Sequence, residues 1–207
     1  GMPADRIRVH YTGVDLDIFK IVERAGAKSA LGLGPESLIV TTGALIPRKR
    51  QGLVIDALSR LPEARLALIG DGEDRAKLEA QAATLGLSDR VRFLGSITHA
   101  EIADWLAAAD IMCLPSASEG LANAWVEALA CGTPIVITNV GGAAELLDRA
   151  EAGRLVEPDA DAMADAISAI LSAPPDRHAV RKTAERLTWG ANRDALYAHL
   201  SDIVANR

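Results

Sequence analysis

Aromatic residues, cysteine and surplus positive charge are all scarce in this 207-residue sequence: 3% of it is aromatic, it has 2 cysteines, and 22 Lys and Arg stand against 28 Asp and Glu, a formal net charge of -6. No basic stripe runs along any segment, which argues against a surface that tracks phosphates, so no nucleic acid partner is expected. Cys113 and Cys131 lie in apolar surroundings without CxxC or Cys/His spacing, which speaks against a zinc site or a disulfide framework and for two buried thiols. Long hydrophobic runs are missing as well. Ile111 to Leu114 and Pro134 to Ile137 fall far short of the ~20 residues that cross a bilayer, and the N-terminus has no signal-peptide h-region, so a soluble, cytoplasmic protein is expected. What is present is 49% hydrophobic residues over a length that suits one large domain and excludes disorder. Gly1 ahead of Met2 has the form of a protease-cleavage scar, which predicts a longer natural chain.

From Ser37 onward, short apolar runs alternate with segments of helical period, the pattern of an α/β fold with a parallel sheet. The runs at 37–42, 65–69, 91–94, 111–114, 134–137 and 153–156 predict roughly six buried strands. Helices are expected at 21–31, 51–61, 73–85, 98–108, 121–130 and 143–147, with a capping box at Thr98 and Glu101 and a C-terminal cap at Gly86. After Val156 only helices are expected, at 159–171, 176–187 and 189–204, with a break at Pro174 and Pro175. A tail without strands cannot extend the sheet, so it must wrap along one side or pack on something else.

Ligands of open parallel sheets bind beyond the carboxyl ends of the strands. The loop after the first strand runs from Thr42 through Gly43 into Arg48, Lys49 and Arg50 at a helix start. Cations there oppose the helix dipole, a conflict that a bound anion would remove; a solvated basic turn is the alternative. The loop after the second strand holds Gly70-Asp71-Gly72, and Arg75 stands where a dinucleotide fingerprint would have its third glycine, which disfavours a dinucleotide site. The loop after the fourth strand carries Glu119 and Gly120 into a helix with Glu127. With the helix starting near Leu121, Glu127 falls in its second turn, roughly 9 Å along the axis. Free N–H groups for a phosphate and two carboxylates for hydroxyls would then bracket a small ligand. The same residues also read as a Glu serving the helix dipole and a second surface Glu.

Glu119-x7-Glu127 within SEGLANAWVEALACGTPIV, preceded by ADIMCLPS and followed by Gly141-Gly142-Ala143-Ala144-Glu145, resembles the donor-binding signature of the GT-B retaining glycosyltransferases of family 4. VHYTGVDLDIF, TTGALIPRKRQ, LALIGDGEDRAKLE and VRFLGSI are similar to further segments of that family in the same order, so the likeness covers nearly the whole chain. The resemblance implies the C-terminal, Rossmann-like lobe of a two-lobed enzyme that transfers a hexosyl unit from a nucleoside diphosphate sugar to an acceptor hydroxyl. It implies an N-terminal segment and helix at 1–36, a nucleotide-sugar-binding domain at 37–187, and a C-terminal helix at 188–207 that returns to an N-terminal acceptor lobe absent from this sequence. Without that lobe the chain is expected to be inactive.

Residue by residue, Lys49 matches the lysine on the donor diphosphate and Glu119 the carboxylate on the sugar hydroxyls, the two assigned to catalysis. Gly120, Leu121 and Ala122 match the loop whose N–H groups face sugar and phosphate, Glu127 the carboxylate on the ribose, and Gly95 and Ser96 the stretch beside the base. Gly43, Ala44, Arg48 and Asn123 complete the donor-binding set. No metal and no cofactor are implied. The donor is a UDP-sugar by family frequency, with GDP- or ADP-sugar as alternatives. The acceptor is a sugar or a lipid-linked glycan, with peripheral association of the full enzyme with the inner membrane. Two departures stand out: the family usually has Arg where this chain has Ala44, and its Gly-Phe-Gly is here Gly120-Leu121-Ala122, so a Cβ narrows the approach at Ala122.

Other candidates are set aside. Asp15-Leu16-Asp17 has the D-x-D form of another glycosyltransferase fold but lies away from any strand end. His10, His99, His178 and His199 are scattered, without a Ser or Cys partner at motif spacing. Trp125 is expected in the core, and Trp189, similar to an aromatic that opens the family's returning segment, is expected to pack. A non-catalytic nucleotide-binding module, or another GT-B enzyme such as an epimerase or phosphorylase, is the rival reading.

Overall fold

The computed structural model describes residues 7–205; Gly1 and Met2, read above as a cleavage remnant, lie outside them. Six strands, β1 (Ser37–Thr42), β2 (Ala64–Ile69), β3 (Val91–Gly95), β4 (Ile111–Leu114), β5 (Ile135–Thr138) and β6 (Gly153–Val156), form one sheet in the order β3-β2-β1-β4-β5-β6. Every pairing is parallel, with Ser37 opposite Ala64 and Ile39 opposite Ile111. This is the expected Rossmann-like parallel sheet of six strands, followed by a helical tail.

The central strands read as continuous apolar runs because both faces are covered. Leu38 and Val40 of β1, Met112 and Leu114 of β4, and Ile135 and Ile137 of β5 face one core layer. Ile39, Ile111, Cys113 and Val136 face the other. The first layer is closed by α1 (Arg24–Ala30), α4 (His99–Ala108), α5 (Asn123–Ala130), α6 (Ala143–Leu146) and α8 (Arg177–Arg181). The second is closed by α2 (Gln51–Leu58), α3 (Arg75–Thr84) and α7 (Ala160–Ser172), which buries Met163, Ala164, Ile167 and Ile170 on one face. The capping box forms as expected, with Thr98 N donating to Glu101 Oε2 at 2.8 Å. Gly86 ends α3 at φ +68. Both cysteines are buried, and burial pushes each thiol up to about 12. Among the described residues no helix is long and apolar enough to cross a membrane.

Some expectations fail, beginning with the helix read over 51–61, which ends at Leu58. The helix read over 176–187 stops at Arg181. Beyond it the chain tightens into i→i−3 bonds, Ala184 N to Arg181 O at 2.9 Å and Leu187 N to Ala184 O at 2.8 Å, which turn Thr183 and Ala184 into the core. Trp189, expected to pack, is 56% exposed at the start of α9 (Trp189–Ala205), a helix with no buried residue among those described.

Candidate functional site

The strand order reverses between β1 and β4, so their carboxyl ends flank the crevice where open α/β sheets take their ligands. Both charged loops sit there. After β1 the chain passes Gly43 into a 3₁₀ turn, Pro47–Lys49, and enters α2 at Gln51 with no side-chain cap. After β4 it runs from Pro115 to Ala122 before α5 begins at Asn123, two residues later than expected, which leaves Gly120, Leu121 and Ala122 as loop.

The two loops are locked together by charge. Lys49 Nζ lies 2.5 Å from Glu119 Oε1, Arg48 Nη1 lies 3.3 Å from Glu119 Oε2, and Arg48 Nη1 also donates to Ser118 O at 2.5 Å. The Lys49 and Glu119 side chains are only 12% and 9% exposed. Burial pushes the Glu119 carboxyl up, but the hydrogen bond from Lys49 and the charges of Lys49 and Arg48 outweigh it and hold the group below the usual carboxylate range. Backbone bonds add to the seam, with Ala117 N donating to Arg48 O at 2.7 Å.

Glycines bring the remaining loops close. A Cβ on Gly70 would meet Gly43 O at 2.2 Å, and one on Gly141 would meet Glu119 O at 2.1 Å, so neither position accepts a side chain without moving a strand-end loop. Gly70 N in turn donates to Gly95 O at 2.8 Å, and Gly142 N to Gly120 O at 2.8 Å. Gly120 differs: a Cβ there would meet nothing within 4 Å, so no contact inside the chain requires a glycine. Arg50 is the one non-glycine residue with positive φ among those described, at +53. Left-handed backbone costs a non-glycine residue about 1–2 kcal/mol, and here it directly follows Lys49.

Glu127 stands one turn into α5, between the fully buried Trp125 and Ala128. Burial raises its carboxyl above the usual range, with the charge of His99 pulling the other way. The loops therefore offer a cation pair and an ionised carboxylate beside it, and the helix that follows carries a second carboxylate one turn in. That set suits an elongated polar ligand with an anionic centre and several hydroxyl donors.

Not every expected residue joins this cluster. Gly43 lies beside Lys49, whose Cε would be 3.6 Å from a Cβ there, and Gly95 reaches the cluster only through Gly70. Ala44 is exposed, and its carbonyl accepts from Gln51 Nε2 at 2.9 Å. Ser96 is exposed at the end of β3. Ala122 has φ −70 and ψ 125, an extended backbone that any residue adopts, so its Cβ introduces no strain. Asn123 turns its amide oxygen to the Thr12 hydroxyl at 2.6 Å. Asp15 uses a carboxylate oxygen to accept from Asp17 N at 2.9 Å and so closes its own turn. Sequence reasoning missed the pairing of His10 Nε2 with His199 Nδ1 at 3.1 Å and the Tyr11 hydroxyl on Glu145 at 2.9 Å. The sequence separations, 189 and 134 residues, leave no periodic signal.

With this geometry in place, known proteins give it a setting. The D-inositol 3-phosphate glycosyltransferase of Mycobacterium tuberculosis (strain ATCC 25177 / H37Ra) is 36% identical over 211 residues, 96% of this chain and 44% of that protein. The chain thus spans about half the length of the curated relatives it matches. Among solved structures, Anabaena Alr3699/HepE in complex with UDP-glucose superposes with a TM-score of 0.87 at 28% identity, over 98% of this chain and 59% of that one. The C-terminal domain of a glycosyl transferase group 1 family protein (LpcC) from Francisella tularensis has a TM-score of 0.71 at 26% identity, covering 86% of this chain and 96% of that domain. The family described as glycosyl transferases group 1 matches residues 27–187, and the chain belongs to it.

Proposed function

We propose that this chain is the donor-binding half of a retaining, family 4 glycosyltransferase that moves a hexosyl unit from a nucleoside diphosphate sugar to an acceptor hydroxyl. The partly buried Lys49–Glu119 pair at the strand-order reversal carries the reading. Lys49, with Arg48 behind it, offsets the charge that builds on the diphosphate as the glycosidic bond breaks. Glu119 and the N–H groups of the Gly120–Ala122 loop hold the sugar, Glu127 accepts from the ribose, and Gly95 and Ser96 flank the base. This half supplies no nucleophile. The departing diphosphate takes the acceptor proton, so positioning and electrostatics dominate.

UDP is the nucleotide favoured here, supported by the UDP-glucose held by the Anabaena structure. The acceptor, a sugar or lipid-linked glycan, belongs to a second lobe. The apolar side chains that α9 exposes, Leu196, Tyr197, Leu200 and Val204, suit a return path along that lobe. In this organisation residues 1–36 lead into a domain at 37–187 and residues 188–207 lead out, and the half alone transfers nothing. The whole enzyme works in the cytoplasm, at the face of the inner membrane when its acceptor is lipid-linked.

Calorimetric titration of UDP, GDP and ADP into this chain tests the reading. UDP should bind, and Glu127→Gln should weaken it about tenfold, the scale of one hydrogen bond to a charged group. Absence of binding by all three at millimolar concentration would sink the proposal.

A further inference from the structure

We infer that Thr12, seconded by Tyr11, is a positioning residue that couples the sugar end of the donor loop to the segment joining this domain to its partner lobe. The inference rests on the donor-half reading above. Besides the ion pairs of Glu119 with Lys49 and Arg48, the loop 119–122 has two further supports, and residues 11 and 12 reach both. At its C-terminal end, the Thr12 hydroxyl donates to Asn123 Oδ1 at 2.6 Å, where the loop becomes α5. At its side, Gly120 O accepts from Gly142 N, and the Tyr11 hydroxyl, on Glu145 at 2.9 Å, would lie 3.2 Å from a Cβ on Gly142.

The same segment is tied to the start of α9. Val14 N donates to Leu187 O at 2.8 Å, Val14 and Thr188 form a parallel bridge, Asn192 Nδ2 donates to Tyr11 O, and His10 meets His199 at 3.1 Å. A displacement of the first turns of α9 is therefore passed to Thr12 and Tyr11, and from them to both of these supports of the loop. Glu127 stays out of this path, because α5 beyond its first residue is anchored by Trp125, Val126, Ala128 and Leu129, all buried. The coupling acts on the sugar and leaves the nucleoside end alone. It is reciprocal: a sugar that orders the loop also steadies residues 11–14.

The experiment compares UDP-glucose with UDP in the unaltered chain, Thr12→Val and Thr12→Ser, with hydrogen exchange followed at residues 11–14. Thr12→Val should weaken UDP-glucose at least fivefold, change UDP less than twofold, and abolish the slowing of exchange that UDP-glucose produces. Thr12→Ser, which keeps the hydroxyl, should restore all three. Equal weakening of both ligands, or no change in either with UDP bound by the unaltered chain, overturns the coupling alone. Failure of the unaltered chain to bind either ligand overturns the donor-half reading and the coupling with it.

Discussion

The sheet carries a carboxylate with two cations at each end of the β1–β4 pair, and the two clusters do different things. At the amino end, Asp110 takes Lys28 Nζ at 2.6 Å, Arg24 Nη1 at 3.1 Å and Leu38 N at 2.8 Å, while Lys28 also donates to Glu36 O at 2.8 Å. At the carboxyl end, Glu119 takes Lys49 and Arg48 at 2.5 and 3.3 Å. Counting ion pairs would rank these as equals. Their surroundings separate them. Asp110, just before β4, ties two cations of α1 to the backbone at the start of β1. Glu119 and its partners ride on loops, next to a left-handed Arg50 and a Gly120 with open space around it. Charges whose bonds knit secondary structure hold a fold, whereas charges gathered on close-set loops beside strained backbone are arranged for something that arrives from outside.

The sharpest way to break the comparison is to remove one member at each end. Asp110→Ala strands Lys28 and the Leu38 N–H, and urea unfolding should register a loss of about 3 kcal/mol. Lys49→Met leaves Glu119 paired with Arg48, so its carboxylate is not stranded; it should cost less than Asp110→Ala, about 1.5 kcal/mol of stability, yet weaken UDP tenfold or more in a titration. If Lys49→Met destabilises as much as Asp110→Ala and spares UDP, the distinction collapses.

Acid titration provides a second contrast, within the carboxyl-end site. The folded pKa of Glu119 is lowered, so its contribution is present above the ordinary carboxylate value of about 4.3 and is lost as pH falls through its folded pKa. Glu127 is raised by burial, so its charged form is an unfavourable load at neutral pH that lifts as pH falls through its folded pKa. Glu119→Gln should thus destabilise at pH 7, and Glu127→Gln should stabilise there. Both differences should vanish at the acid end of a series of unfolding curves. The smallest effect is expected at Arg50, where Arg50→Gly relieves the left-handed strain and should add up to about 1 kcal/mol of stability, read from the same urea titration.

Much of this was legible in the sequence, for identifiable reasons. Strands buried on both faces announce themselves as apolar runs, and α7 is visible in the spacing of Met163, Ile167 and Ile170. Lys49 drew notice through a cation run at a helix start, and Glu119 and Glu127 through their loop and spacing. Other features had no local signature. The contact of Thr12 with Asn123 spans 111 residues and joins two polar side chains that any loop might hold. The early end of α8 depends on where Thr183 and Ala184 must go, a tertiary demand that overrides helical period. Trp189 is expected to pack through its likeness to the aromatic that opens the family's returning segment, and only the path of α9 places it in the open.

Two arginines of α8 are part of the same hidden layer. Arg177 donates to Val22 O at 2.6 Å, Ala107 O at 2.9 Å and Cys131 O at 2.7 Å, while Arg181 donates to Ala130 O, Phe19 O at 2.8 Å and Leu16 O at 3.2 Å. Half of these acceptors, Leu16, Phe19 and Val22, precede residue 27, where the family match begins. The unit that these bonds hold together is therefore longer than the stretch that the family match covers. A protein trimmed to the family boundary would keep every strand, and it would lose the carbonyls that hold two guanidinium groups against the ends of α4 and α5.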